Sequence, residues 1–218
     1  DSIGMAAGNG LYDAIATLPD DKGLLRSSFD QLSGEIHASA KTVLLEDSRY
    51  VRDAANERLR SAAGAVGASA APVLASAGGG ARLAPATAMG PASWIQGLGS
   101  WRQTDGDGNA AQVKSSTGGF LLGADAPVSD AWRLGLMAGY TRTDFDVRDR
   151  ASSGDSDNYH LGAYGGGQWG ALGLRGGLAY SWHDIATRRS VSMPGYSDRL
   201  KASYDGRTVQ AFADLSYR

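Results

Sequence analysis

The sequence predicts a membrane all-β fold, an antiparallel outer-membrane β-barrel with an N-terminal helix in its lumen. Three observations lead there. Residues from about 93 to 218 alternate between apolar and small or polar, the connections between strands alternate between long and short, and a long charged helical stretch precedes them.

The alternation is clearest at 132–140, where Trp132, Leu134, Leu136, Ala138 and Tyr140 form one row and Arg133, Gly135, Met137, Gly139 and Thr141 the other. A β-strand sends successive side chains to opposite faces, so one face seeks hydrocarbon while the other tolerates water. Leu172, Leu174, Gly176, Leu178, Tyr180 and Trp182 repeat the scheme against Gly173, Arg175, Gly177, Ala179, Ser181 and His183. Apolar-out, polar-in alternation is what transmembrane barrel strands require.

Six strands are predicted, at about 93–103, 113–126, 131–146, 156–169, 172–187 and 205–217. Their connections run long, short, long, short, long, at 104–112, 127–130, 147–155, 170–171 and 188–204. Outer-membrane barrels have long outer loops and short periplasmic turns, which places the start of the first strand on the periplasmic side. A lipid-facing girdle of Trp94, Trp132, Tyr140, Trp169 and Trp182 follows, with the first, second and fourth near the periplasmic interface and the others toward the outer one. The competing fold is a soluble antiparallel barrel or sandwich that buries those rings, but it leaves the polar rows opposite them unexplained. The lumen-facing candidates are Arg133, Thr141, Thr143, His160, Tyr164, Gln168, Arg175, Ser181, His183, Gln210 and Asp214. A bulge would reverse that parity downstream.

Composition narrows the classes. The 218 residues carry a formal net charge of -2, which offers no basic surface for nucleic acid. Cysteine is absent, which excludes disulfides and thiol chemistry. Glycine, at 31 residues without a collagen-like period, often falls inside candidate strands, where it permits curvature or close backbone approach. No apolar run reaches the ~18 residues of a membrane-crossing helix. Residues 1–20 lack the basic start and apolar core of a secretory signal, so for an exported protein the sequence reads as a processed or excised portion.

Upstream of the strands, Leu11, Ile15 and Leu18 have the spacing of one short helical face within the lead-in 1–23. Residues 24–60 carry the strongest helical signal: Leu25, Phe29, Leu32, Ile36, Ala40, Val43 and Leu44 recur at three- and four-residue intervals without a proline. As one helix this stretch would be roughly 55 Å long at about 1.5 Å per residue. It is too polar to face lipid and can cross a membrane only inside a protein-lined channel. Composition alone favours a surface helix or short coiled coil, divisible at Gly34 or Ser48; the strands downstream favour the channel. Residues 61–92, with Gly78, Gly79, Gly80, Pro72, Pro85 and Pro91, read as a flexible connector, and 93–218 as part of a barrel wall.

Leu32, Ser33, Gly34, Glu35 and Ile36, followed by Leu45, Asp47, Ser48, Arg49, Val51 and Arg52, resemble the linker-helix signature of the C-terminal translocator domain of monomeric autotransporters, the type V secretion proteins. The pertactin-like and serum-resistance-like members are the most similar, and the opening Trp94, Ile95, Gln96, Gly97 resembles their first strand. The resemblance implies a twelve-stranded outer-membrane barrel with a helix through its lumen, of which this chain holds the N-terminal half. It further implies export of the protein's own passenger to the surface of a Gram-negative bacterium. Outer-membrane lipid and lipopolysaccharide, the barrel assembly machinery and periplasmic chaperones are the implied partners, and the completed barrel is expected to be a monomer. Residues 1–23 would then be the passenger-to-linker remnant and 24–60 the tether or plug. A surface adhesion protein acting through its outer loops is the alternative.

No catalytic site, metal or cofactor is predicted. Three histidines without a close carboxylate grouping do not match zinc spacing. Ser156 in Gly154, Asp155, Ser156, Asp157 lacks a strand-to-helix elbow. The run Asp105, Gly106, Asp107, Gly108, Asn109 lacks the later glutamate of a calcium loop and reads as a polar turn. Self-cleavage of the kind some autotransporters perform would need Asn9 or Asn56 against an inward carboxylate such as Asp214.

Overall fold

A computed structural model describes residues 10–76, 80–105, 111–147 and 151–217. Among the described residues three helices precede the strands: α1 (Gly10–Ala16), α2 (Lys22–Leu32) and α3 (Glu35–Ala62). Asp21 caps α2, its Oδ1 accepting from the backbone N–H groups of Gly23 at 2.8 Å and Leu24 at 3.1 Å. The single helix expected over 24–60 is broken at Ser33 and Gly34. The Ser33 N–H and hydroxyl both donate to the Asp30 carbonyl, at 3.2 and 2.7 Å, and its backbone turns extended. A hydroxyl competing locally for a backbone acceptor is a common way to end a helix.

Eight strands form one antiparallel sheet in the order β2-β1-β3-β4-β5-β6-β7-β8. They are β1 (Val73–Ser76), β2 (Ala81–Ala84), β3 (Ala92–Thr104), β4 (Val113–Pro127), β5 (Trp132–Val147), β6 (Ser152–Trp169), β7 (Leu172–Met193) and β8 (Tyr196–Tyr217). The sheet is open, with β2 and β8 at its edges. Three features depart from expectation. The long loop expected at 147–155 gives way to strand, with β5 reaching Val147 and β6 starting at Ser152 opposite it. The connector 61–92 contains the β1–β2 hairpin, which docks on β3 through Leu74 opposite Ser93. The long loop expected at 188–204 is instead an extension of β7 and β8 around a tight turn at Pro194 and Gly195. Proline supplies the fixed φ of such a turn, and Gly195, at φ +80°, takes the left-handed position that side chains avoid.

Parity holds through β4 to β8 without interruption by a bulge. On one face Phe120, Tyr140, Tyr159 and Trp182 sit in register on β4 to β7, and Trp132 packs edge-on against Trp169 with ring centroids 5.2 Å apart. Between them Leu134, Leu136, Leu161 and Leu178 are exposed. From Trp132 to Tyr140 is about 27 Å along the strand, or about 20 Å after the tilt usual in barrels. Just beyond Tyr140 the same face turns ionic: Arg142 pairs with Asp155 and Asp157, each at 3.3 Å. An apolar band edged by aromatic rings and then by charge is the outer surface of a membrane barrel.

The other face holds α3. At its first half Ile36, Ala40, Val43 and Leu44 pack on Ala111, Phe145, Val147 and Ile185. Nearer its C-terminus Val51, Ala54, Ala55 and Leu59 pack on Leu121, Met137, Tyr164 and Ala179. With 28 residues α3 is about 42 Å long, enough to run the depth of a hydrocarbon core of about 30 Å.

Candidate functional site

The site is the interface between α3 and the inner face of β3 to β8. Its lower part is built around Asp125 on β4, whose side chain is fully buried. Arg58 of α3 grips this carboxylate with two parallel bonds, Nε to Oδ2 at 2.7 Å and Nη2 to Oδ1 at 2.9 Å. Arg133 from β5 pairs with the same carboxylate, and the Tyr164 hydroxyl donates to it at 2.8 Å. Trp94 donates its indole N–H to the Tyr164 oxygen at 2.6 Å. Both arginines also hold the connector: Arg58 donates to the Ala86 carbonyl at 2.8 Å, and Arg133 to those of Ala88 and Gly90 at 2.8 and 3.0 Å. A glycine makes the meeting possible, since a Cβ at Gly135 would lie 2.7 Å from the Cβ of Asp125 and 2.5 Å from the ring of Tyr164.

The upper part is built around Asp47, which projects from the stripe of α3 between its two apolar clusters. Thr117 donates to its carboxylate at 3.1 Å and Thr143 at 2.5 Å. From there a chain of side-chain bonds crosses the wall. Asn158 donates to Thr141 and Thr143 at 3.2 and 3.3 Å and accepts from Ser156 at 2.7 Å. His183 bonds Asn158 at 2.7 Å and Thr208 at 2.9 Å, while His160 bonds Ser181 at 2.7 Å and Thr141 at 3.0 Å. Buried polar groups are costly unless satisfied, and here neighbouring strands satisfy one another. Among the described residues α3 also meets the wall through an ion pair of Glu46 with Arg102 and a His37–Tyr204 bond at 3.1 Å.

All the lumen-facing candidates lie on the helix face. Thr141, Thr143, His160, Tyr164, Ser181 and His183 are buried there, and Arg133 and Arg175 are partly covered. Arg175 donates to Asp214 at 2.7 Å. Gln168 sits at the turn end, bonded to the Gly170 carbonyl, and Gln210 faces inward opposite Ala179. Of the girdle, Trp132, Tyr140, Trp169 and Trp182 lie on the outer face. Trp94 does not: it points inward, into the space that Gly123 leaves open, because its N–H finds the Tyr164 hydroxyl there. Ile95 and Trp101 are the outward residues of β3, at 74% and 85% exposure.

The helix signature splits by position. Leu32 and Ser33 end α2, Gly34 precedes α3 and the Glu35 backbone begins it. Ile36, Asp47 and Val51 face the wall, whereas Leu45, Ser48, Arg49 and Arg52 do not. Sequence reasoning missed Arg58, Asp125, Thr117 and Asn158. Arg58 was legible in principle, since 47, 51, 54, 55 and 58 continue one helical face and end it on a charge.

The chemistry-bearing runs contribute no catalytic grouping among the described residues. Ser156 lies inside β6, and Asp214 is engaged by Arg175. Asn56 Oδ1 is buried without a hydrogen-bond partner. Asn9 and 106–110 lie outside the described residues. Asp105 accepts from Gln103 at 3.0 Å and Gln112 at 3.1 Å, bonds that hold its carboxyl below the usual carboxylate range.

The autotransporter β-domain family model matches residues 93–218. Two extracellular serine proteases of Serratia marcescens are 40% and 38% identical to the chain over 213 residues, 98% of its length. The chain spans about a fifth, 19%, of the length of these curated relatives. No solved structure matches it.

Proposed function

We propose, from the fact that this chain belongs to the autotransporter β-domain family, that α3 is the tether left in the lumen after export and the plug that closes it. The domain is an outer-membrane translocator of a Gram-negative bacterium, and its cargo is the passenger N-terminal to α1. The observation that carries the plug is the double fastening of one helix to one wall, by Asp47 with Thr117 and Thr143, and by Arg58 with Asp125. A helix merely lying against a sheet needs no buried charge at its contact, and burying one is costly unless it is paired.

The same charges fix direction. α3 enters at the level of Ile185 and Phe145 and ends beside Asp125, near the start of β3, so the passenger side lies beyond the ionic edge of the outer surface. Lipid and lipopolysaccharide are the proposed neighbours of the apolar band and of the charges above it. Barrel assembly machinery and periplasmic chaperones are proposed to handle the chain before insertion, when the 22-residue edge of β8 and the apolar face are unpaired. Peptidase activity, the property in the relatives' names, is not assigned to these residues: His160, which bonds Ser181, has Thr141 on its other nitrogen.

The test is single-channel conductance of the full-length protein in planar bilayers, intact and lacking 35–62. The deletion is expected to raise conductance; equal conductance rejects the plug.

A further inference from the structure

Beyond the membrane band, the inner face of β7 and β8 carries a separate apolar patch. At the aromatic edge that face presents Ser181 and His183, polar and bonded to neighbouring strands, and then Ile185 against α3. Higher up the same row presents Val191 and Met193 on β7, buried to 1% and 7% exposure, with Tyr196 opposite Met193 on β8. Val191 stands nine residues beyond Trp182, about 30 Å along the strand and roughly 20 Å above the aromatic edge once tilted. An apolar face in water needs a cover, and α1 and α2 supply it. Ala14, Leu11, Ile15 and Leu18 and the end of α2 at Leu32 pack with Val191, Met193 and Tyr196.

Polar bonds fix the register of this contact. Arg189 donates to the carbonyls of Leu32 and Ser33, at 3.3 and 2.8 Å, capturing the C-terminal end of α2 where its carbonyls lack helical partners. The Ser192 backbone N–H donates to Gln31 Oε1 at 2.7 Å. Two independent kinds of contact, apolar and directional, thus meet on the chain segment that has left the lumen.

We propose that the protruding β7–β8 hairpin is an external cradle for α1 and α2: it binds the last exported segment outside the membrane and holds it apart from the fastening of α3 within. The cradle goes beyond the plug and is separable from it, because its residues are not those that grip α3. It works through the break at Ser33 and Gly34, which lets the docked helices and the lumen helix be held independently.

The test is residue-resolved hydrogen exchange on the full-length protein in micelles. In the wild type, α1 and α2 are expected to be protected. Ala14→Asp on the helix side, or Val191→Asp on the hairpin side, is expected to raise exchange over 10–32 by at least about tenfold while α3 keeps its protection. Ala14→Asp leaves every strand unaltered, so it remains informative even where Val191→Asp impairs folding. Free-peptide exchange of α1 and α2 in the wild type beside a protected α3, or unchanged exchange in Ala14→Asp, overturns the cradle. Loss of α3 protection in the wild type instead strikes the plug.

Discussion

Arg58→Ala removes the ion pair that ties the lower end of α3 to the wall, leaving the apolar packing of Leu59 in place. It deletes both bonds to Asp125 and the bond to Ala86, in a pair whose side chains are 4% and 0% exposed. Breaking a buried ion pair from one side costs about 3–5 kcal/mol, because the remaining charge keeps its desolvation. Here Arg133 and Tyr164 stay on the carboxylate, which puts the loss near the lower end, about 3 kcal/mol. The bond joins helix to wall, so this loss acts on the docked-to-released equilibrium, where about 3 kcal/mol corresponds to roughly a 150-fold shift. Full-length protein in planar bilayers should therefore spend far more time open, and amides near 58 should exchange faster. Arg58→Lys should fall between, since an ammonium cannot reproduce the two-pronged grip. Equal open time and equal exchange in Arg58→Ala and wild type would refute the assignment of Arg58 as the lower fastening.

The remaining predictions concern the upper fastening, the wall and the close contact beneath Tyr164. Replacing Thr117 and Thr143 by valine strips Asp47 of its donors; each hydrogen bond to a charge contributes about 1.5–3 kcal/mol, and faster exchange around residue 47 of α3 should report the loss. Leu136→Arg places a charge midway between Trp132 and Tyr140 on the lipid face and should lower stability by about 2–4 kcal/mol in urea titrations in lipid vesicles, whereas Asp146→Arg, beyond the ionic edge, should change it by less than about 1. Gly135→Ala drives a methyl into Tyr164 and Asp125; overpacking of this kind costs about 1–3 kcal/mol, and the same titration should detect it.

The wall was legible because its signal is local. Period-two alternation needs only neighbouring residues, and the rows at 132–140 and 172–183 assigned faces that the sheet keeps. Strand ends were less legible: Val191 and Met193 continue the parity of β7, yet Pro194 and Gly195 looked like the middle of a loop rather than the tip of a hairpin. Trp94 misled for a related reason. Trp94 and Ile95 are adjacent and both apolar, so either parity satisfies the pattern, and only the hydroxyl of Tyr164, far along the chain, decides between them. Asp125 was hidden because its partners come from α3, β5 and β6, a convergence no local spacing encodes.

The division of hydrogen bonds on the inner face bears on how one surface would serve both the passage and the closure proposed above. The bonds linking Thr141, His160 and Ser181, and those linking Asn158, His183 and Thr208, join wall to wall. They ask nothing of the helix, so a chain passing over them leaves no buried group unsatisfied. Thr117 and Thr143 also bond each other at 3.1 Å, and Thr143 bonds Asn158, so even the donors used by Asp47 have partners when it is absent. Asp125 keeps Arg133 and Tyr164. The principal polar interactions that depend on the docked helix are thus concentrated around two carboxylates, one on α3 and one on β4. Under the proposed plug, a polypeptide without an Asp and an Arg at the spacing of 47 and 58 would find no such fastening, so the same wall would let a passenger by and still retain the helix that follows it.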